Sequence, residues 1–218
     1  MLDNKKKICI VGIGGQGRET LLCVIDSIGR QKLKIQDVAC FMVEDKNLIQ
    51  KNIMGVEVIP ESKFDPKLYN VVVAIGDPTV RKKVIKKLPS KTTFKTIIHP
   101  NAIVSDSVDI GEGSIISAGV VMTHNIKIGK HSLVNLNSTI SHDCIIGDYF
   151  TTGPGVNISG TCVFGNKVYF GTNSSVRQEI KICDNVVIGM GSVVIDDISK
   201  EGVYIGNPAK KLLKKTNK

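Results

Sequence analysis

The chain predicts an α/β domain followed by a parallel β-helix, and three observations carry that prediction. Every sixth residue from Ile98 to Val194 is bulky and apolar at sixteen of seventeen positions, Thr152 being the exception. The register runs through that stretch without an insertion or deletion. Residues 5–97 instead alternate short apolar runs with helix-period segments, and the first run opens into Gly12-Ile13-Gly14-Gly15-Gln16-Gly17. Boundaries drawn on this pattern give a Rossmann-like nucleotide-binding domain over 1–97, a β-helix over 98–200 and a basic tail over 201–218.

Within the first domain, Lys7 to Val11 reads as a strand and Arg18 to Ile28 as a helix, its face marked by Leu21, Leu22, Ile25 and Ile28 and its end by Gly29. A second strand, Val38 to Val43, ends in Glu44-Asp45-Lys46. Val56 to Ile59 follows, then Val71 to Gly76, a continuous apolar run of the kind buried in parallel sheets. Thr79 to Leu88 is a basic amphipathic helix, and Phe94 to Ile98 leads into the β-helix. A G-x-G-x-x-G between strand and helix lets backbone N–H groups approach a phosphate, while Glu44 or Asp45 accepts from a ribose or base. The unit spans only about 90 residues and its acids come nearly 30 residues after the glycines, which favours a mononucleotide-linked ligand over NAD. A purely structural tight turn is the alternative.

A helix spreads a period of six around its circumference, whereas a solenoid of three short strands per coil uses it directly. Coils of eighteen residues stacked about 4.8 Å apart would bury the apolar row in a narrow prism of nearly six coils. Glycine often follows the apolar residue (Gly111, Gly129, Gly147, Gly153, Gly165, Gly171, Gly189), where a turn with φ > 0 is expected. The fifth position of each block is mostly small or β-branched, with Phe150 an exception.

His142-Asp143 stands at the rim of the prism in this register, an imidazole beside a carboxylate as a general base requires. Gly160 falls one coil above His142, where its backbone N–H could meet an oxyanion. His124 falls one coil below. Two stacked histidines suggest zinc, but His99 and His131 occupy other block positions, so no metal is expected.

The chain carries a formal charge of +9, concentrated in Arg81 to Lys87 and Lys210 to Lys218, with 5% aromatic residues and no Trp. Base-stacking platforms are missing, so nucleic acid is not the expected partner; small polyanions such as a nucleotide or coenzyme A are. No apolar run has the length of a signal peptide or membrane span, so a soluble cytoplasmic protein without membrane insertion is expected. Six cysteines without C-x-x-C spacing read as reduced core residues. The tail is expected to pack on the last coils, its final residues being disordered.

GIGGQG, VEDKN, VAIGDPTVRKK, HPNAIVSDSVDIGEG, NLNSTISHDCIIGDY and GVYIGNPAK together resemble the bacterial hexapeptide-repeat sugar acyltransferases, across nearly the whole chain. That group comprises nucleotide amino-sugar N-acetyltransferases of the bacillosamine and perosamine type and sialic acid O-acetyltransferases. The resemblance implies homotrimers of left-handed β-helices with acetyl-CoA between neighbouring prisms and a nucleotide sugar on the first domain. Position by position it implies His142 as base, Asp143 as its partner and Gly160 at the reacting centre. Gly14, Gly15, Gln16, Glu44, Asp45, Lys46 and Gly76 would meet the nucleotide sugar; Thr151, Thr172, Met190, Gly191 and Lys210 would meet acetyl-CoA. Gln16 and Thr151 stand where the family commonly has histidine. The implied reaction is acetyl transfer to the amine of a UDP- or dTDP-linked 4-amino-4,6-dideoxy sugar for surface glycan or glycoprotein synthesis, with O-acetylation of sialic acid or another polysaccharide sugar as one alternative and a non-enzymatic trimeric scaffold as the other.

Overall fold

The computed structural model describes residues 6–29 and 33–213. Its first domain holds six strands, β1 (Lys7–Val11), β2 (Ala39–Val43), β3 (Asn52–Ile53), β4 (Val56–Pro60), β5 (Tyr69–Val73) and β6 (Thr93–Phe94), in the order β3-β4-β2-β1-β5-β6. All neighbours are parallel except β3 and β4. The chain builds outward from β1 in both directions, so the strand order reverses at β1 and β5 and opens a crevice beyond their carboxyl ends.

Among the described residues, three α-helices, α1 (Gly15–Ile28), the single-turn α2 (Ile35–Val38) and α3 (Pro78–Lys87), and two short 3-10 turns complete the domain. The two-residue period of β1 divides its side chains: Ile8 and Ile10 pack with Leu21 and Val24 of α1, while Cys9 and Val11 pack with Val84 and Ile85 of α3. Helix α1 begins three residues earlier than expected, so half of the glycine loop is its first turn. Its buried stripe is Gly17, Leu21, Val24 and Ile28. Leu22, expected on that face, is instead 47% exposed, because one residue turns the helix by about 100°. Asp77 caps α3, its Oδ1 accepting from the N–H groups of Thr79 and Val80 at 2.8 Å each, and Pro78 fills the first helical position.

From Ile97 to Val194 short parallel strands wind into three faces, pairing residues eighteen apart: Ile116 with Val134, Met122 with Ile140, Ile146 with Phe164. The first face holds the strands beginning Ile97, Ile115, Leu133, Thr151, Tyr169 and Val186, and the tail strand Gly202–Ile205 extends it in parallel. The second face begins at Ile103 and the third at Val108. The hairpin strand Lys210–Lys211 closes the tail against Tyr204 and Ile205; the expected disorder of the final residues concerns 214–218, which lie outside the described residues.

The reading of the periodic glycines needs correction. Gly111, Gly129, Gly153 and Gly171 do not have φ > 0; a Cβ on each would lie 2.5–2.6 Å from a backbone atom of the next coil. Glycine is there because coils approach closely, not because the turn is left-handed. The left-handed residues are others, mostly not glycine, and they recur at the corners, as in Asn125, Asp143, Thr161 and Glu179.

The two exceptions to the hexapeptide pattern are neighbours in the core. Phe150 is fully buried against Phe164 and Phe170, each ring centroid at 6.1 Å, filling volume beside the shorter Thr152. The Thr152 hydroxyl accepts from the N–H of Asn135 at 2.8 Å, so the buried polar group is satisfied.

Candidate active site

The α/β domain docks on the first face. Ile97, Ile115 and Leu133 share one buried cluster with Leu21 and Val24 of α1, and His99 Nε2 lies 2.7 Å from Asp26 at the far end of that helix. At the corner between third and first faces, Arg81 of α3 is buried against the solenoid. This docking decides where each functional group stands.

His142 and Asp143 occupy the corner between second and third faces, the vertex of the triangle opposite the first face. His142 therefore stands across the prism from its own α/β domain. Its Nδ1 is 2.8 Å from Asp143 Oδ2, and its side chain is 53% exposed. Asp143 reaches back to its neighbour because its backbone is left-handed, φ 60°. Asn125, one coil below, donates its side-chain N–H to Asp143 Oδ1, and this bond, followed by the one to His142, holds the carboxyl below the ordinary carboxylate range. With an ionised Asp143 accepting at Nδ1, the tautomer leaves Nε2 free to take a proton. His124 stacks beneath at 5.8 Å between centroids, as the eighteen-residue register predicts.

Gly160 covers the other side of the imidazole. A Cβ there would lie 2.6 Å from His142 Cε1 and 2.7 Å from Nε2, so only glycine leaves that side of the ring free. Its carbonyl accepts from the N–H of Glu179 at 2.9 Å.

The second part of the site lies in the α/β domain. Gly12 turns the chain with φ 106°, and a Cβ on Gly17 would strike Gly12 O at 2.0 Å, so these two glycines serve the turn and the helix packing. Gly14 and Gly15 have nothing within 4 Å of a Cβ position, and Gly14 caps α1 without a side-chain bond, leaving the first N–H groups of a fourteen-residue helix open to an anion. Beside them, beyond the carboxyl ends of β1, β2 and β5, a cavity of about 480 Å³ is lined by Ile13, Met42, Glu44, Ile75, Val84 and Leu88 among others. Glu44 is paired with Lys87 at 3.0 Å and Lys46 at 3.1 Å, which lowers its pKa. Asp45 turns away from the cavity to bind the Ser62 backbone N–H and hydroxyl.

The remaining expected residues are spread out. Gln16, in the first turn of α1, lies 3.4 Å from Asn135 on the corner between first and second faces, and its Nε2 is buried without a partner among the described residues. Thr172, Met190 and Gly191 share that corner on higher coils, Met190 being 78% exposed. Thr151 is buried in the first face, its hydroxyl accepting from Arg81 at 2.7 Å and facing the Gly76 carbonyl at 3.3 Å, so it has no open polar atom. Lys210 lies at the tail, 3.5 Å from Asp196. One chain thus brings together His142, Asp143 and Gly160, and separately the start of the glycine loop with Glu44, while Gly76 lines a second cavity with Tyr169 and Val187 of the solenoid; it joins none of these to His142. Sequence reasoning missed Arg81, which it counted in a basic run suited to small polyanions, and Asn125, whose only signal was its place one coil below Asp143.

An α/β domain with an open helix end, seated on a three-sided hexapeptide prism with an imidazole–carboxylate pair on its far corner, defines a two-domain hexapeptide-repeat protein. The PglD N-terminal domain model matches residues 7–88, and the hexapeptide repeat of succinyl-transferase matches 100–124 and 162–195. In both halves the chain is similar to the bacterial hexapeptide-repeat sugar acyltransferases. It is 48% identical over 48 residues to UDP-N-acetylbacillosamine N-acetyltransferase of Bacillus subtilis, 22% of each chain, and 33% identical over 117 residues to GDP-perosamine N-acetyltransferase of Escherichia coli O157:H7, half of this chain and 49% of that one. These matches span half or less of the curated relatives. A crystal structure of PerB from Caulobacter crescentus in complex with CoA and GDP-perosamine superposes with a TM-score of 0.82 at 26% identity, covering 94% of this chain and 96% of that one.

Proposed function

We propose that the protein transfers an acetyl group from acetyl-CoA to the amine of a nucleotide-linked amino sugar. The observation that carries this is the His142–Asp143 pair with its Nε2 open beneath Gly160, in a chain that also holds an open helix N-terminus beside a cavity large enough for a nucleoside. The named relatives and the CoA complex of the structural neighbour support it. The neutral amine attacks the thioester carbonyl, His142 Nε2 takes the proton, and the Gly160 N–H meets the oxygen that becomes negative. As the intermediate collapses, the new C–N bond stays, the C–S bond breaks, and the thiolate takes its proton from the imidazolium. No enzyme nucleophile is required.

The working assembly is a trimer. His142 sits across the prism from its own nucleotide crevice, so a neighbouring copy must present the sugar, and acetyl-CoA lies between His142 of one prism and Thr172, Met190 and Gly191 of the next. The sugar is a 4-amino-4,6-dideoxy sugar, carried on UDP or dTDP by the sequence reading and on UDP or GDP in the relatives. The test is release of CoA from acetyl-CoA against UDP-, dTDP- and GDP-linked amino sugars, with free sialic acid as the contrast. Turnover confined to nucleotide-linked amines is expected; turnover on free sialic acid alone would sink the proposal. His142→Ala is expected to lower kcat by about two to four decades with both ligands still bound.

A further inference from the structure

Arg81 is 1% exposed and donates to six acceptors, none of them charged. Its Nη1 reaches the carbonyls of Ile75 at 2.6 Å and Gly76 at 3.1 Å, which form the loop leaving β5 at the lip of the nucleotide crevice. Its Nε reaches the His131 carbonyl at 2.9 Å, and its Nη2 reaches the carbonyls of Tyr149 and Phe150 at 2.9 and 3.1 Å and Thr151 Oγ1 at 2.7 Å. Tyr149 and Phe150 close the coil that carries His142. Burial lowers the pKa of this guanidinium to about 10. A buried cation without a carboxylate is a costly way to join two domains, since apolar side chains of similar volume do so as well or better. What the fork adds is direction: planar donors fixed to acceptors on both domains at once hold one angle between them.

We propose that Arg81 is a positioning residue for the transfer reaction, setting the angle at which the α/β domain carries its nucleotide ligand relative to the catalytic coil. This rests on the acetyltransferase reading above. In the assembly, the tilt of that domain decides whether the sugar amine of one copy arrives at Nε2 of the next. Arg81 does not reach the imidazole, and at the crevice it holds only the Ile75 and Gly76 carbonyls of the lip, so its effect on binding is measured apart from its effect on turnover.

The test uses the full-length protein with Arg81→Met, which removes the buried charge at similar volume, and Arg81→Lys, which keeps the charge without the fork. Both are measured for Tm, for Kd of CoA and of the nucleotide sugar, for kcat and KM, and by crystallography with the solenoids superposed. Expected are a folded protein, a rotated α/β domain and a fall in kcat on the order of tenfold to hundredfold that exceeds any change in either Kd, as misplacement by about 1 Å produces. An unrotated domain in both variants overturns the proposal, as does wild-type kcat or a loss confined to KM. If neither variant folds, Arg81 is structural and the proposal falls. Wild type is assayed alongside: if it acetylates no nucleotide-linked amine, the functional reading fails, while the domain angle in the variants still decides whether Arg81 sets it.

Discussion

Asp143 is kept ionised by a hydrogen bond from Asn125 as well as by the imidazole it serves. Asp143→Asn keeps the shape and removes the charge; kcat is expected to fall by at least tenfold, roughly the scale on which a fixed tautomer and a stabilised imidazolium count in general-base catalysis. The depressed carboxyl also links stability to pH. Because its folded pKa lies below the ordinary value, its contribution is present above that value and is lost as pH falls through the folded one. Asn125→Gly suits the local φ of 53° and deletes the donor, so its Tm is expected to lie below wild type near neutrality and to converge with it in acid, measured across a pH series. Gly160→Ala separates activity from stability. The atoms nearest the added Cβ all belong to the exposed ring of His142, which can swing away, so turnover is expected to be lost while Tm hardly moves. The pair itself was legible in the sequence because the six-residue register placed it at a rim; the role of Asn125 was not, because a bond across coils depends on the left-handed turn of each residue.

Among the elements, the solenoid glycines and the loop glycines obey different constraints, and paired substitutions expose them. Gly171→Ala puts a Cβ 2.5 Å from the Met190 backbone nitrogen, and backbone in a stacked coil cannot yield. A fall in stability of a few kcal/mol is expected, of the size that overpacking gives (about 1–3 kcal/mol), read by denaturant titration. Gly15→Ala meets nothing within 4 Å and gains helix propensity, so Tm is level or slightly raised while nucleotide affinity drops, read by calorimetry. Thr152→Val keeps the volume but strands the Asn135 N–H, at a cost of about 1–3 kcal/mol. The repeat announced every coil, yet it assigned the glycines to the wrong cause: a periodic glycine fits a left-handed turn and a close contact equally well until the neighbouring coil is in place. Leu22 of α1 failed for a related reason, since helix period alone leaves the centre of the buried stripe one residue uncertain.

For the molecule as a whole, the placement of the α/β domain on the first face sets His142 across the prism from the glycine loop. A trimer in sedimentation equilibrium is expected, and a sharper result follows from mixing subunits. His142→Ala lacks the base, Gly15→Asp sets a carboxylate against the phosphate site, and each alone is inactive; co-assembled, they regain part of the wild-type turnover because some sites draw both halves from intact copies. Failure of the mixture would mean that each chain serves itself. By itself the sequence determined the two folds, the coil length and the residues that share a rim, because hydrophobic periodicity and glycine placement are properties of a chain read in order. Which face receives the α/β domain, and hence that His142 stands across the prism from it, was decided only by tertiary structure. Docking depends on buried surfaces and on the fork of Arg81, whose six partners are backbone carbonyls and one hydroxyl, groups that leave almost no mark on the order of residues.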